Sequence, residues 1–169
     1  MKKIMFMLAL LATSFAVQAQ SKFHDAEAQE AFGKVKSITV SVMGQNQVST
    51  FSENGKLVSG PLSELVYDAD GYVKSAKMDM MGQKLAVEYK WENGKVVGTV
   101  VEAMGQKIVS SRTFNDKGAT EKESVNMGGQ QIETPYSDYK YDSKGNWISR
   151  KTTMMGQTME QTRTIEYYE

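Results

Sequence analysis

The stretch Ala76-Lys77-Met78-Asp79-Met80-Met81-Gly82-Gln83-Lys84-Leu85-Ala86-Val87-Glu88-Tyr89 decides the fold. Apolar and polar residues alternate on both sides of one glycine, which is the period of a half-buried strand. Gly82-Gln83, read as a two-residue type II′ loop with Gly where φ must be positive, turns the segment into a β-hairpin. That register sets Met80 against Leu85, Met78 against Val87 and Ala76 against Tyr89 on one face. Lys77 meets Glu88, an attractive cross-strand pair, on the other. A slip of one residue would exchange the faces, so the hydrophobic pattern itself selects the pairing.

The same punctuation recurs at Met43-Gly44-Gln45, Met104-Gly105-Gln106 and Met155-Gly156-Gln157, with a near-copy at Met127-Gly128-Gly129-Gln130. Between these lies a second turn class, an aromatic followed by polar residues and a closing Gly. It runs over residues 51–55, 67–71, 91–94, 114–118 and 141–145. Its Gly suits the left-handed closing position of a three- or four-residue loop. The two classes alternate, with Gly60-Pro61 as a worn copy of the first, since Pro cannot continue a ladder. The expected fold is all-β: a single-domain antiparallel up-and-down meander of 11–12 short strands, an open or partly closed curved sheet of roughly 23-residue hairpin repeats. Met-Gly-Gln turns then fall at one end of the sheet and acidic turns at the other.

Carried along the chain, this register pairs Ala103 with Ile108, Val97 with Phe114, Val125 with Ile132, Met154 with Met159 and Ile148 with Ile165. Glu92-Asn93-Gly94 reads as a three-residue loop. Arg112 falls opposite Glu121, and Pro135 marks a bulge in the strand that ends at Tyr141. One face stays apolar, interrupted by Arg112, Glu121, Glu123, Arg150 and Arg163. Those charges argue against a closed, dry barrel and for a sheet wetted on both sides or a polar-lined groove.

Residues 1–19 read as a secretory signal peptide: Lys2 and Lys3, an apolar run from Ile4 to Ala16, and small residues before cleavage after Ala19. The run is too short to span a bilayer, and no Cys stands at the cleavage site for a lipid anchor. An exported chain without a membrane span is expected, periplasmic or extracellular. Residues 20–33 form an N-terminal arm or short helix, which Asp25 could cap and Gly33 end. Residues 34–169 form the repeat domain. The chain carries twenty basic and twenty acidic residues; loss of Lys2 and Lys3 leaves a balance near −2, with no electrostatic reason to bind nucleic acid. With no Cys at all, stability rests on sheet packing rather than disulfides.

Residues 139–147, Tyr-Lys-Tyr-Asp-Ser-Lys-Gly-Asn-Trp, resemble the tyrosine-aspartate (YD) repeat of RHS proteins, whose core reads Tyr-x-Tyr-Asp-x-x-Gly-Asn/Arg. Residues 67–72 are a partial copy, and residues 51–55 and 114–118 keep the aromatic and the Gly. The resemblance implies a ribbon of β-hairpins in an exported bacterial protein of binding or encapsulating type. It carries over no catalytic residues, and the chain is too short for the shell that large RHS proteins build.

Enzyme chemistry lacks its parts. His24, the single histidine, reads as a solvated residue before the sheet. With no Cys and no second His, the usual transition-metal sites and Ser–His or Cys–His nucleophiles cannot be assembled. Asp68-Ala69-Asp70-Gly71 has the start of a Ca²⁺ loop without its later ligands. No cofactor or metal is implied. The candidate binding residues are the aromatics Tyr67, Tyr72, Tyr89, Trp91, Phe114, Tyr139 and Tyr141, which gather toward the acidic-turn end and fit a sugar or peptide platform as well as cross-strand stacking. The expected function is a non-enzymatic exported module of the cell envelope that binds a protein or glycan. The alternative is a periplasmic carrier that holds an apolar, lipid-like ligand on the concave face, with the N-terminal segment as lid. An exposed apolar face would also allow a homodimer.

Overall fold

The computed structural model describes residues 22–42, 44–80, 82–154 and 156–169. The expected leader and the first two residues of the arm lie outside the described residues. Strands β1 (Val35–Val42), β2 (Gln45–Phe51), β3 (Leu57–Ser59), β4 (Leu62–Tyr67), β5 (Val73–Met80) and β6 (Gln83–Glu92) make the first half. Strands β7 (Lys95–Ala103), β8 (Gln106–Phe114), β9 (Thr120–Met127), β10 (Gln130–Tyr141), β11 (Trp147–Met154) and β12 (Gln157–Tyr167) make the second. The expected all-β antiparallel meander is the observed one.

All twelve strands form one sheet in the order β3-β2-β1-β12-β11-β10-β9-β8-β7-β6-β5-β4. First and last strands therefore pair side by side, with Ile38 opposite Ile165. The two edges, β3 and β4, are consecutive in the chain and joined only by Gly60-Pro61. Three peptide units separate Ser59 from Leu62, so the edges stand within about 11 Å there. A flat sheet of this many strands would hold them about 50 Å apart. The sheet is therefore curled and nearly closed, with one seam. At ~4.8 Å per strand and ~40° of tilt, twelve strands enclose a ring roughly 24 Å across, wider than the eight-stranded ring that side chains just fill.

Hairpin geometry differs from the expected one by a consistent step. Met80 pairs with Gln83 and Ala76 with Val87, Ala103 with Gln106, and Met154 with Gln157. The two-residue loop is Met-Gly rather than Gly-Gln. At Met104-Gly105 both φ are positive, 51° and 72°, the requirement of a type I′ turn, whose twist matches that of the strands. A shift of two residues keeps every side chain on its face, so the apolar side was read correctly while the opposing partners were not. Lys77 faces Ala86 rather than Glu88. Thr152, not Met154, faces Met159, and Ile165 faces Ile38 rather than Ile148. Arg112 faces Glu123 rather than Glu121, because a bulge beside Phe114 turns Glu121 outward, where it is exposed. Val125 opposite Ile132 is as expected. The loop after Glu92 has two residues, Asn93-Gly94. The irregularity in β10 lies at Asp138, with φ 52°, rather than at Pro135.

The acidic turns share one design. At Asp68, Asn115 and Asp142 the first residue's N–H donates to the carbonyl four residues on, and the Gly N–H donates back. The same side-chain oxygen of each accepts two further backbone N–H groups, from the second and fourth residues after it. This is the physical content of the aspartate in the tyrosine-aspartate pattern. The outer face is polar, with ion pairs such as Lys107–Glu102 and Lys122–Glu133, and each adds little to stability. The apolar face is turned inward, while Val48 and Val109 remain exposed on the outside.

Candidate functional site

Residues 22–34 close the acidic-turn end as a plug. Its only helical element is one 3-10 turn, Glu27–Gln29, with no side-chain cap. Asp25, expected to cap a helix, is instead the clasp of the seam. Its Oδ2 accepts the Leu57 N–H at 2.6 Å and the Tyr67 O–H at 2.8 Å, one group from each edge strand. Phe23 lies between them, its N–H donating to the Asn54 carbonyl and its ring packing edge-on to Tyr67 at 4.7 Å. Burial raises the Asp25 carboxyl above the usual carboxylate range, ahead of the Leu57 and Tyr67 bonds that oppose it.

His24 is not solvated, contrary to the sequence reading. It is 7% exposed, stacked on Tyr72 at 3.9 Å and hydrogen-bonded to Glu27 at 2.7 Å. Tyr72 in turn leans on Trp91, whose indole N–H donates to the Val73 carbonyl. On the opposite wall Glu30 accepts from the Trp147 indole at 2.8 Å, from Arg150 at 3.2 Å and from Thr120. Arg163 donates to three backbone carbonyls, those of Gln29, Glu30 and Trp147. Trp147 is sandwiched between the guanidiniums of Arg150 and Arg163, at 4.2 and 3.7 Å. Asn146 meets both the N–H and the carbonyl of Phe32. Residues 139–147, which resemble the tyrosine-aspartate repeat, thus dock the plug.

The seven predicted aromatics do not form one platform. Tyr67, Tyr72 and Trp91 pack on Phe23 and His24. Tyr139 and Tyr141 stack beside Trp147. Phe114 lies under the Lys95 ammonium. Tyr89 faces inward near Arg112, its phenol pushed up to about 12 mainly by burial, with Arg112 opposing. Sequence reasoning missed the roles of Asp25, Glu30 and Asn146, whose partners lie as far as 120 residues away and leave no local signal. Arg150 and Arg163 did leave one, as charges on an apolar face.

Above the plug the interior is layered. The floor holds Arg112 with Glu123 at 3.2 Å, Arg150, Tyr89 and Tyr136. The wall is apolar: Met78, Leu85, Val101, Ile108, Val125 and Met159 share the inner face by their pairing, yet none is buried. These inward side chains, at the end away from the plug, still meet solvent. At the rim, the residue after each Met-Gly turn, or after Gly128-Gly129, is a glutamine. Gln45, Gln83, Gln106, Gln130 and Gln157 occupy the inner-face position of their hairpins, and all five are exposed. On the outside, the β7–β8 ladder ends at Gly98 and Ser111; beyond it lies a cleft of about 480 Å³ lined by Lys90, Lys95, Val97, Arg112 and Phe114 among others.

No helix among the described residues is long and apolar enough to cross a membrane. Neither a family model nor a curated protein matches the chain.

Proposed function

We propose that this protein is an exported, non-enzymatic binding module of the cell envelope, a carrier that takes a ligand with an apolar body into its open lumen. One observation carries the reading: the inward wall of Met78, Leu85, Val101, Ile108, Val125 and Met159 is partly exposed, with none of the six buried. Apolar surface held open to water inside a closed sheet is stabilised by an apolar guest at ~25 cal/mol per Å² covered. The N-terminal segment, expected as a lid over the ligand, instead fills the acidic-turn end, away from the mouth. The likeness to tyrosine-aspartate hairpins fits an exported setting. Binding rather than catalysis fits a lone histidine stacked on Tyr72 and committed to Glu27.

Uptake of a neutral apolar fluorophore tests this directly. Saturable binding, abolished by Leu85→Glu or Ile108→Glu in protein that stays folded, is the expected result, together with lipid detected by native mass spectrometry of the purified protein. A protein or glycan ligand is the second reading, favoured by the rim of five glutamine amides. It prevails if the fluorophore is not taken up while an oligosaccharide or peptide binds and is lost on replacing Gln83 and Gln106 by Ala.

A further inference from the structure

We propose that the floor of the lumen receives an anionic head group, so that the preferred guest is a long-chain amphiphile with a single carboxylate, bound acid end first. This rests on the lumen reading above.

Charge along the interior is uneven. The strands place three guanidiniums on the inner face, Arg112, Arg150 and Arg163, against one carboxylate, Glu123. The plug supplies Glu30, already shared among Arg150, Trp147 and Thr120. It also supplies Asp25, committed to the seam, and Glu27, bonded to His24 and lining one small pocket with Glu30 and Arg112. Arg163 gives its donors to backbone carbonyls. Arg112 is the cation nearest the wall, two residues below Ser110 and four below Ile108 on the inner face of β8. Its Nε bonds Glu123, and a guanidinium carries four further N–H donors in a planar fork suited to a carboxylate. Tyr89 and Tyr136 stand within the field of Arg112, and Tyr136 lies under the Arg150 guanidinium.

The order of layers then sets the orientation. A head-down guest pairs its carboxylate with the arginine floor and its chain with the apolar wall, and leaves its far end among neutral amides. A head-up guest would set hydrocarbon on guanidiniums and strand its charge among glutamines, which wastes both interactions.

Calorimetric titration of the purified protein with dodecanoate, dodecanol and acetate separates the alternatives. Dodecanoate should bind at least about tenfold more tightly than dodecanol, and acetate should show no saturable binding. Glu123→Gln, which removes the competing carboxylate, should tighten dodecanoate by about threefold or more. Arg112→Met should bring dodecanoate down to the dodecanol level. Unchanged dodecanol binding in both variants reports an intact lumen. Equal binding of acid and alcohol, or weaker acid binding by Glu123→Gln, overturns the head-group assignment and leaves the lumen reading standing. Acetate binding as tight as dodecanoate overturns it too, and points to the outer cleft at Arg112. Failure of both long-chain probes sinks the lumen reading itself.

Discussion

Asp25 holds Leu57 and Tyr67 on a single carboxylate oxygen, and so ties the two edges of the sheet to each other. Among the described residues β3 and β4 are not neighbours in the sheet, and in the chain they are joined by Gly60-Pro61. The seam narrows at that link and opens toward the acidic turns, where Phe23 and Asp25 fill it. Unpaired edges invite pairing with other chains; here a plug residue occupies them.

Asp25→Ala should therefore destabilise the fold by roughly 2–4 kcal/mol, since it orphans a strand N–H and a phenol O–H. Urea unfolding monitored by tryptophan fluorescence gives the value. An unchanged midpoint would refute the clasp.

The pH profile should carry two opposite carboxylate signatures. Asp25 has a raised folded pKa, with burial the leading cause. Its contribution is fully present below the unfolded carboxyl pKa and is lost as pH rises through the folded value. Asp142 is also pushed upward by burial. The Tyr167 hydroxyl, the Asn146 and Lys144 amides and Arg163 together outweigh that and hold it below the usual range. Its contribution is present above the unfolded pKa and is lost as pH falls through the folded one. Asp142→Asn should thus flatten the acid limb of stability against pH, and Asp25→Asn should remove the loss between acid and neutral pH. Denaturation midpoints from pH 2 to 8 check both, and parallel curves for the two variants would contradict the assignment.

Arg163→Met should release the plug. Three charge-assisted bonds to the plug and to Trp147 disappear, at a cost of about 3 kcal/mol or more. Burial already lowers this guanidinium to about 10, with the Glu30 carboxylate the main opposing influence. Hydrogen exchange should speed up at the amides of residues 28–31 while the β5–β6 amides keep their protection. Uniform loss across the sheet would mean that the plug and sheet are one cooperative unit.

Gly71 and Gly82 both have positive φ, 88° and 79°, yet they should respond differently to Ala. A Cβ at Gly71 would sit 1.9 Å from the Lys22 carbonyl oxygen, whereas at Gly82 it meets nothing within 4 Å. Gly82→Ala should cost only the left-handed backbone term, ~1–2 kcal/mol. Gly71→Ala adds displacement of the plug, and its melting temperature should fall further.

Met104 is 97% exposed and sits at φ 51° in its turn. Met104→Asn places the residue that a type I′ loop prefers and should stabilise by about 0.5–1 kcal/mol. Unaltered ligand uptake in this variant would leave the methionine of the repeat a turn residue alone.

Alternation around Met-Gly-Gln was enough, without coordinates, to establish strands, hairpin order, the apolar face and the two ends of the sheet. Those are local properties: a period of two, and glycines where φ must be positive. The step of two in every Met-Gly hairpin was illegible because parity survives it; only the turn's backbone twist distinguishes Met-Gly from Gly-Gln. Closure and the docking of the plug depend on contacts across more than a hundred residues, and the clasp of the seam on contacts across 32 and 42. No local pattern encodes which strand the first will meet. That meeting of β1 with β12 turned an apolar face with stray arginines into the inner face of a nearly closed sheet. It also gave the glutamine of the repeated motif a place, on the rim.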